Sequence, residues 1–266
     1  MDAPLSKYLP EFTGDKGRAT VRQCLSHTSG LNSIKTKADA DTDSIADRVD
    51  QMAAGEMKEK PGARFNYGGN GLNVAGRVAE VVTGKPWEIL FADKITKPCQ
   101  MHRTNTGMNL WYVREHGGNK FSPGSCIEDY SNFLEMLAND GVFRGTRVLS
   151  SQSIKEMQAD QVRGADISSN PFITKIRGSS PPGLYGFGEW REVVDGKGEA
   201  LILSCTGWYG CYPWIDKKNH AYGVFLGDAD NDKARKANFP AFFASPQLSQ
   251  LADGIFEAEA KAPGNK

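Results

Sequence analysis

Up to about residue 160 the apolar positions recur at helical spacing. Thr20 is placed to cap a short helix in "TVRQCLSHT" that Gly30 ends, and Asp43 or Ser44 caps a second one in "DSIADRVDQMAAG". The glycine-rich loop "KPGARFNYGGNG" opens into "LNVAGRVAEVVTG", where Leu72, Ala75, Val78, Ala79 and Val82 repeat at helical spacing and Thr83-Gly84 closes the run. "KPWEILFADKITKPCQM" predicts a helix bounded by Pro86 and Pro98. Ile127, Tyr130, Phe133, Leu134 and Leu137 mark an amphipathic helix that stops at Gly141, and Ser150 or Ser151 caps "SIKEMQAD". Residues 102–125 read as irregular, and 163–183, rich in Gly, Ser and Pro, as a long loop.

After residue 184 the texture changes. "LYGFGEWREVV", "EALILSC", "WYGCYPWID" and "AYGVFLGD" are strand-like, with "DGKG" and "DKKN" supplying the short turns of an antiparallel meander. "SPQLSQLADGIFEAEA" closes the chain as a helix with Leu248, Leu251, Ala252 and Ile255 on one face. Helices, then consecutive strands, then a final helix is an α+β layout. The expected organisation is one domain over 1–266, mainly helical from 15 to 160, with strands and the last helix in 184–266.

Charge narrows the partners. The 32 Lys plus Arg balance the 32 Asp plus Glu, so no single-sign surface suits a nucleic acid or an anionic membrane. No run approaches the roughly 20 apolar residues of a membrane span, and "MDAPLSKYLPEF" has no signal-peptide pattern. A small-molecule or peptide partner is expected. The five cysteines, Cys24, Cys99, Cys126, Cys205 and Cys211, form no C-x-x-C pair, and no metal site is expected. If "CTGWYGC" runs extended, Cys205 and Cys211 lie roughly 20 Å apart, beyond disulfide reach.

Three stretches could carry chemistry. In "NYGGNG" Tyr67 stands between polar and glycine residues at the mouth of a helix, placed either to project its phenol into a cleft or to serve as an amphipathic rim residue. "LSHTSGL" puts His27 two residues from Ser29, but side chains at i and i+2 diverge on a helix, so tying off a helix end is the preferred reading. In "CTGWYG" the small Thr206-Gly207 step lets a ligand lie against a strand, where the backbone N–H of Trp208 could bind a carbonyl oxygen or oxyanion. A glycine-kinked strand packing aromatics under a helix is the alternative.

Taken in order, "MDAPLSKYLPEF", "ATVRQCLSHTSGL", "PGARFNYGGNGLNVAGRVAEVVTGKPW", "ITKPCQM" and "CTGWYGCYPWID" resemble the beta-lactamase-related serine hydrolases, from about residue 2 to about 228. That family includes class C beta-lactamases, D-Ala-D-Ala carboxypeptidases and family VIII esterases. The resemblance implies a beta-lactamase/transpeptidase-like fold and acyl transfer on small esters, amides or peptides, with no metal or organic cofactor. It places Tyr67 at the family tyrosine of Y-x-N, the catalytic candidate. Gly69 stands where the asparagine would be and Asn70 follows one residue late. Cys205, Thr206 and Gly207 match the K-T-G or H-x-G strand with the cation replaced by a thiol, which argues against an acidic substrate. Trp208 would supply an oxyanion N–H.

No lysine has a serine three residues before it, and no G-x-S-x-G occurs. In the family the S-x-x-K helix and the first sheet strands precede the segment that "MDAPLSKYLPEF" resembles, so the expectation is a chain lacking that N-terminal portion and inactive alone. Relatives are mostly exported. Two rivals follow: a non-catalytic binding relative that keeps the cleft, and a cysteine hydrolase pairing Cys205 with His220. The same resemblance leaves "AYGVFLGD" as an open sheet edge and self-association as a possible consequence.

Overall fold

The computed structural model describes residues 1–35, 44–104, 124–167, 184–207, 210–227, 233, 236 and 246–261. Trp208, most of the loop expected at 163–183 and most of the irregular stretch expected at 102–125 lie outside the described residues.

Helices α1 (Gly14–Arg18), α2 (Val21–Leu25), α3 (Ile45–Ala54) and α4 (Asn70–Thr83) form the first layer. Thr20 caps α2 reciprocally with Gln23, and Ser44 caps α3 reciprocally with Asp47, each pair satisfying two backbone N–H groups that a helix start would leave open. Val49, Met52 and Val74 from α3 and α4 meet Leu5, Phe12 and Leu31 from the connecting turns in one core. Helix α5 (Trp87–Phe91) begins behind Pro86 and runs into a π-helical turn, Ala92–Thr96. Arg22, buried beneath the N-terminal segment, bonds Asp2, Gln161 and Glu156, which ties α2 to the chain start and to the segment 156–161.

Helix α6 (Ile127–Ala138) leads through a hairpin of two-residue strands, β1 (Val142–Phe143) and β2 (Thr146–Arg147), to α7 (Ser151–Gln158), capped by Ser150. The hairpin is too short to leave an alternating pattern. Its turn is legible afterwards in Arg144 and Gly145, both in the left-handed region at φ 45° and 80°.

Strands β3 (Trp190–Val194), β4 (Ala200–Ser204), β5 (Tyr212–Asp216) and β6 (Ala221–Phe225) make an antiparallel sheet in sequence order. Leu203 and Ile215 from the sheet, Met136 from α6, Phe143 and Ile154 fill a second core. Two sequence expectations need correction. The run "WYGCYPWID" is not one strand: β5 starts at Tyr212, and ahead of it the Gly207 N–H donates to Cys211 O at 2.7 Å and the Gly210 N–H to Gly207 O at 3.0 Å, the close pairing of a hairpin end. Gly210, at φ 92°, supplies the backbone conformation that such an end requires. Cys205 and Cys211 are therefore hairpin neighbours rather than strand ends 20 Å apart, and both thiols are free. "LYGFGEWREVV" likewise becomes a strand only at Trp190; its first half is a turn closed by a bridge between Tyr185 and Trp190.

The last helix, α8 (Pro246–Lys261), also differs. Leu251 and Ile255 are 66% and 60% exposed. Polar groups fix its rotation instead: Ser249 hydrogen-bonds the Tyr212 hydroxyl at 2.9 Å, and Asp253 accepts from Asn219 at 2.7 Å.

Candidate active site

A third cluster, Phe65, Val162, Leu184, Tyr185 and Trp190, carries Tyr67 on its flank. It assembles because residues 63–66 are clamped from two sides. The Phe65 N–H donates to Asp166 O at 2.9 Å, and the Asn66 N–H donates to His27 O at 2.8 Å. Tyr67 then lies at the head of α4, with its ring centroid 4.5 Å from His27 and 5.2 Å from Trp190. Gly69 is the N-cap of α4. Asn70 turns its amide nitrogen onto the carbonyls of Leu31 and Ile34, both at 3.0 Å, so it anchors the helix start to the preceding turn.

His27, which the sequence presents as a helix-end residue, lies inside this cluster. It takes the left-handed conformation, φ 58°, just beyond α2 and is 1% exposed. Its Nε2 is 3.2 Å from the Tyr185 hydroxyl, and its Nδ1 accepts the Gly68 N–H at 3.5 Å. Burial lowers its pKa to about 3, so the ring is neutral at physiological pH. Tyr185 in turn meets the Tyr67 ring edge to face, with centroids 6.0 Å apart.

Burial holds the Tyr67 phenol far above its ordinary pKa, a nearby Cys205 thiolate would raise it further, and the Tyr185 hydroxyl opposes both. None of these three influences is a positive charge. The Tyr67 hydroxyl is therefore protonated and suited to donate.

Cys205 extends β4, its N–H donating to Pro213 O at 3.1 Å, and Thr206 beside it is buried. Burial first, then Glu189 and Cys211, pushes the Cys205 thiol up to about 11. Glu189, just before β3, is 7% exposed, and its Oε1 has no hydrogen-bond partner among the described residues. Burial raises this carboxyl to about 8, with Lys217 and Arg191 pulling the other way. Its charge would act on Tyr130, Tyr185 and Cys205 together.

Tyr67 and Cys205 thus come within electrostatic reach, and Cys205, Thr206 and Gly207 are consecutive at the mouth of the β4–β5 hairpin. Tyr185, Glu189 and Tyr130 are not legible as site residues in the sequence. "YGFGEW" reads as an alternating strand, whereas its turn folds both Tyr185 and Trp190 inward. The cysteine-hydrolase pairing fails on register. Ser204 pairs with Trp214 and Tyr212 with Phe225, which puts Cys205 at one end of the β5–β6 ladder, while His220 follows the Asp216–Ala221 pair at the other end, about 13 Å along the strand. A thiol at about 11 is also a poor source of thiolate. Among the described residues no three His, Cys, Asp or Glu side chains are grouped as a metal site requires, and no helix is long and apolar enough to cross a membrane.

A helical layer packed on an antiparallel sheet, with a tyrosine at the head of a glycine-led helix beside the sheet hairpin, is the beta-lactamase/transpeptidase-like fold. The family model described as Beta-lactamase matches residues 1–241, and the chain belongs to that family. It is 30% identical to Penicillin-binding protein 4 of Amycolatopsis lactamdurans over 99% of this chain and 79% of that protein. A crystal structure of a provisionally assigned beta-lactamase from Bacteroides dorei DSM 17855 superposes with TM-score 0.85 at 35% identity, over 95% of this chain and 77% of that one. A family VIII carboxylesterase shares the fold, with TM-score 0.65 at 20% identity, over 86% of this chain and 71% of that one.

Proposed function

We propose that the chain belongs to a serine hydrolase that performs acyl transfer on small esters, amides or peptides, with Tyr67 as the proton-transfer group. In this reading Gly69 and Asn70 shape the floor of the cleft. Cys205, Thr206, Gly207 and the backbone N–H of Trp208 line its substrate and oxyanion side. One observation carries it: a single aromatic cluster fixes Tyr67 at the head of α4 within reach of the Cys205 hairpin. Hydrolysis of a planar acyl group needs a proton delivered to the departing atom, and the protonated phenol can do that.

The nucleophile is not supplied by any S-x-x-K in these 266 residues. Acylation would need a serine and a cation that lowers the Tyr67 pKa. The chain alone is therefore inactive in this proposal. The test is incubation with p-nitrophenyl butyrate and a chromogenic cephalosporin, followed by mass spectrometry. Neither turnover nor a serine adduct is expected, and burst acylation of any serine in 1–266 would overturn the assignment. Titration with the ester, followed by NMR, is expected to perturb Tyr67 and Thr206; resonances of both that ignore the ester would remove the site itself.

A second reading is a binding relative that keeps the cleft without the chemistry. It is favoured by Cys205, a neutral thiol where the family strand carries a cation. Ester-induced shifts at Tyr67 with no turnover in the chain fused to an added S-x-x-K segment would select it.

A further inference from the structure

The register of the sheet brings a buried acid to the Cys205 hairpin. Trp190 pairs with Ser204, so one rung beyond them Glu189 lies beside Cys205, with Cα atoms about 5 Å apart. Alternation fixes the side. Ser204 Oγ donates to Glu192 Oε1 on one face of the sheet, which puts Glu189 and Cys205 together on the other. The stem of Glu189 is held from behind: its Cγ is 3.3 Å from where a Cβ on Gly186 would sit, in a turn closed by the Gly186 N–H donating to Glu189 O at 2.9 Å. Yet Oε1 is buried with no hydrogen-bond partner among the described residues, while Cys205 beside it is only half-buried. An acceptor buried without a partner carries the full desolvation cost that folded proteins otherwise avoid.

We propose that Glu189 is a specificity-determining residue that receives a positively charged nitrogen of the ligand, an ammonium or amidinium group, beside the Cys205 thiol. This rests on the reading of the Cys205 hairpin as the substrate side of the cleft. A cation bearing N–H groups offsets the burial of an acid with a hydrogen bond and an opposite charge at once, whereas a neutral donor supplies only the first. No described cation of the chain reaches Oε1. Arg191 donates from Nε to Gln158 O at 3.0 Å and from Nη2 to Gly198 O, and Lys217 attracts the carboxylate without bonding Oε1. Cys205, Tyr185 and Tyr130, the titratable groups whose charge Glu189 would influence, are kept neutral at pH 7 by burial. Burial also keeps the Glu189 carboxyl protonated near neutral pH. Arrival of the ligand therefore exchanges one cation for another: the carboxyl releases H⁺ to water, and the carboxylate left behind pairs with the ammonium.

The full chain, with ¹³Cδ-labelled glutamate, is titrated at pH 7 with ethyl 3-aminopropanoate and with ethyl butanoate, its neutral isostere. The ammonium ester should bind roughly tenfold tighter or more. It should move the Glu189 carboxyl resonance to the carboxylate position and release about one proton per ligand, seen as a binding heat that differs between phosphate and Tris buffers. Glu189→Gln keeps the shape and removes the charge, so it should bind the two esters alike and release no proton. A Glu189 resonance unmoved by the ammonium ester, or a variant that keeps the preference, overturns the proposal. Tyr67 and Thr206 judge the functional reading separately. If both respond equally to the two esters while Glu189 stays protonated, the cation assignment falls and the acyl-transfer reading stands. If Glu189 ionises with the ammonium ester while neither Tyr67 nor Thr206 responds to either ester, the cation site stands and the acyl-transfer reading falls.

Discussion

The backbone carbonyl oxygen of Cys24, at the end of α2, lies 2.6 Å from where a Cβ on Gly71 would sit. Gly71 is in the first turn of α4, so the two helices touch backbone to backbone directly behind the Tyr67 loop.

Gly71→Ala is expected to destabilise the protein by about 1–3 kcal/mol, since backbone rather than a movable side chain must give way and the helix-propensity gain offsets only part of that. A urea melt checks it. Lys85→Ala, beyond the end of α4 and losing only an exposed ion pair with Asp93, is the near-neutral control, and an unchanged melt for Gly71→Ala would show that the helices are not in close contact.

Local features are legible in the sequence and long-range ones are not. The caps at Thr20, Ser44 and Ser150 are decided within four residues of chain, and the sequence shows the first and narrows the others to Asp43 or Ser44 and to Ser150 or Ser151. The apolar repeat from Leu72 to Val82 likewise lies inside α4, although Val82 is 62% exposed at its end. His27 is opaque because its partner Tyr185 is 158 residues away, and nothing near "SHTSG" announces it. Periodicity puts Leu251 and Ile255 on the buried face of α8. Two hydrogen bonds, between Ser249 and Tyr212 and from Asn219 to Asp253, hold them outward. Tyr67 stands out only through the family resemblance, since its own stretch suits a rim residue equally well.

Glu189 predicts an alkaline limb to stability. Its carboxyl ionises near 4.5 when unfolded and at about 8 when folded. Between those values the native state holds the extra proton, so stability is full below pH 4.5, falls as pH rises and levels off above about 8. Glu189→Gln should flatten that slope, with a gain on the order of a few kcal/mol at pH 8. Denaturant melts from pH 4 to 9 read it, and parallel wild-type and Glu189→Gln profiles would contradict the assignment.

His27 predicts the opposite limb. Its pKa is 6.5 unfolded and about 3 folded, so the unfolded chain binds the extra proton in that window and stability is lost as pH falls from 6.5 toward 3. His27→Gln removes the titrating group and should make the acid limb shallower while lowering stability at pH 7. If the acid limb is as steep in the variant, another group controls it.

Cys205 should alkylate slowly. With its thiol at about 11, less than about a thousandth is thiolate at pH 7, well below a free cysteine. Mass mapping after iodoacetamide treatment at pH 7 is expected to show Cys205 modified only slowly even though, like Cys126, it is no more than partly buried. Rapid, selective labelling of Cys205 would restore the cysteine-hydrolase reading.

The sheet edge carries the last prediction. Pro213 has no N–H, and its carbonyl accepts from Cys205 on the β4 side, so its pairing with Val224 is a non-hydrogen-bonded one. Alternation then turns the N–H and C=O of Val224 and Tyr222 outward, away from β5. Among the described residues no strand lies beyond β6, while Tyr222 and Phe225 are 39% and 49% exposed. Two outward donors and two outward acceptors beside apolar side chains are a template for another strand, and the run from Ala221 to Phe225 contains neither proline nor lysine to blunt it. A second copy of the chain, pairing β6 with β6, is the expected occupant. Sedimentation velocity should show association that grows with concentration. Tyr222→Pro removes one outward N–H without touching a β5–β6 hydrogen bond, and Tyr222→Lys adds charge at the same place. Both variants should be more monomeric than the parent. A parent that stays monomeric across the concentration series, or variants that associate as it does, would show that β6 is not the contact.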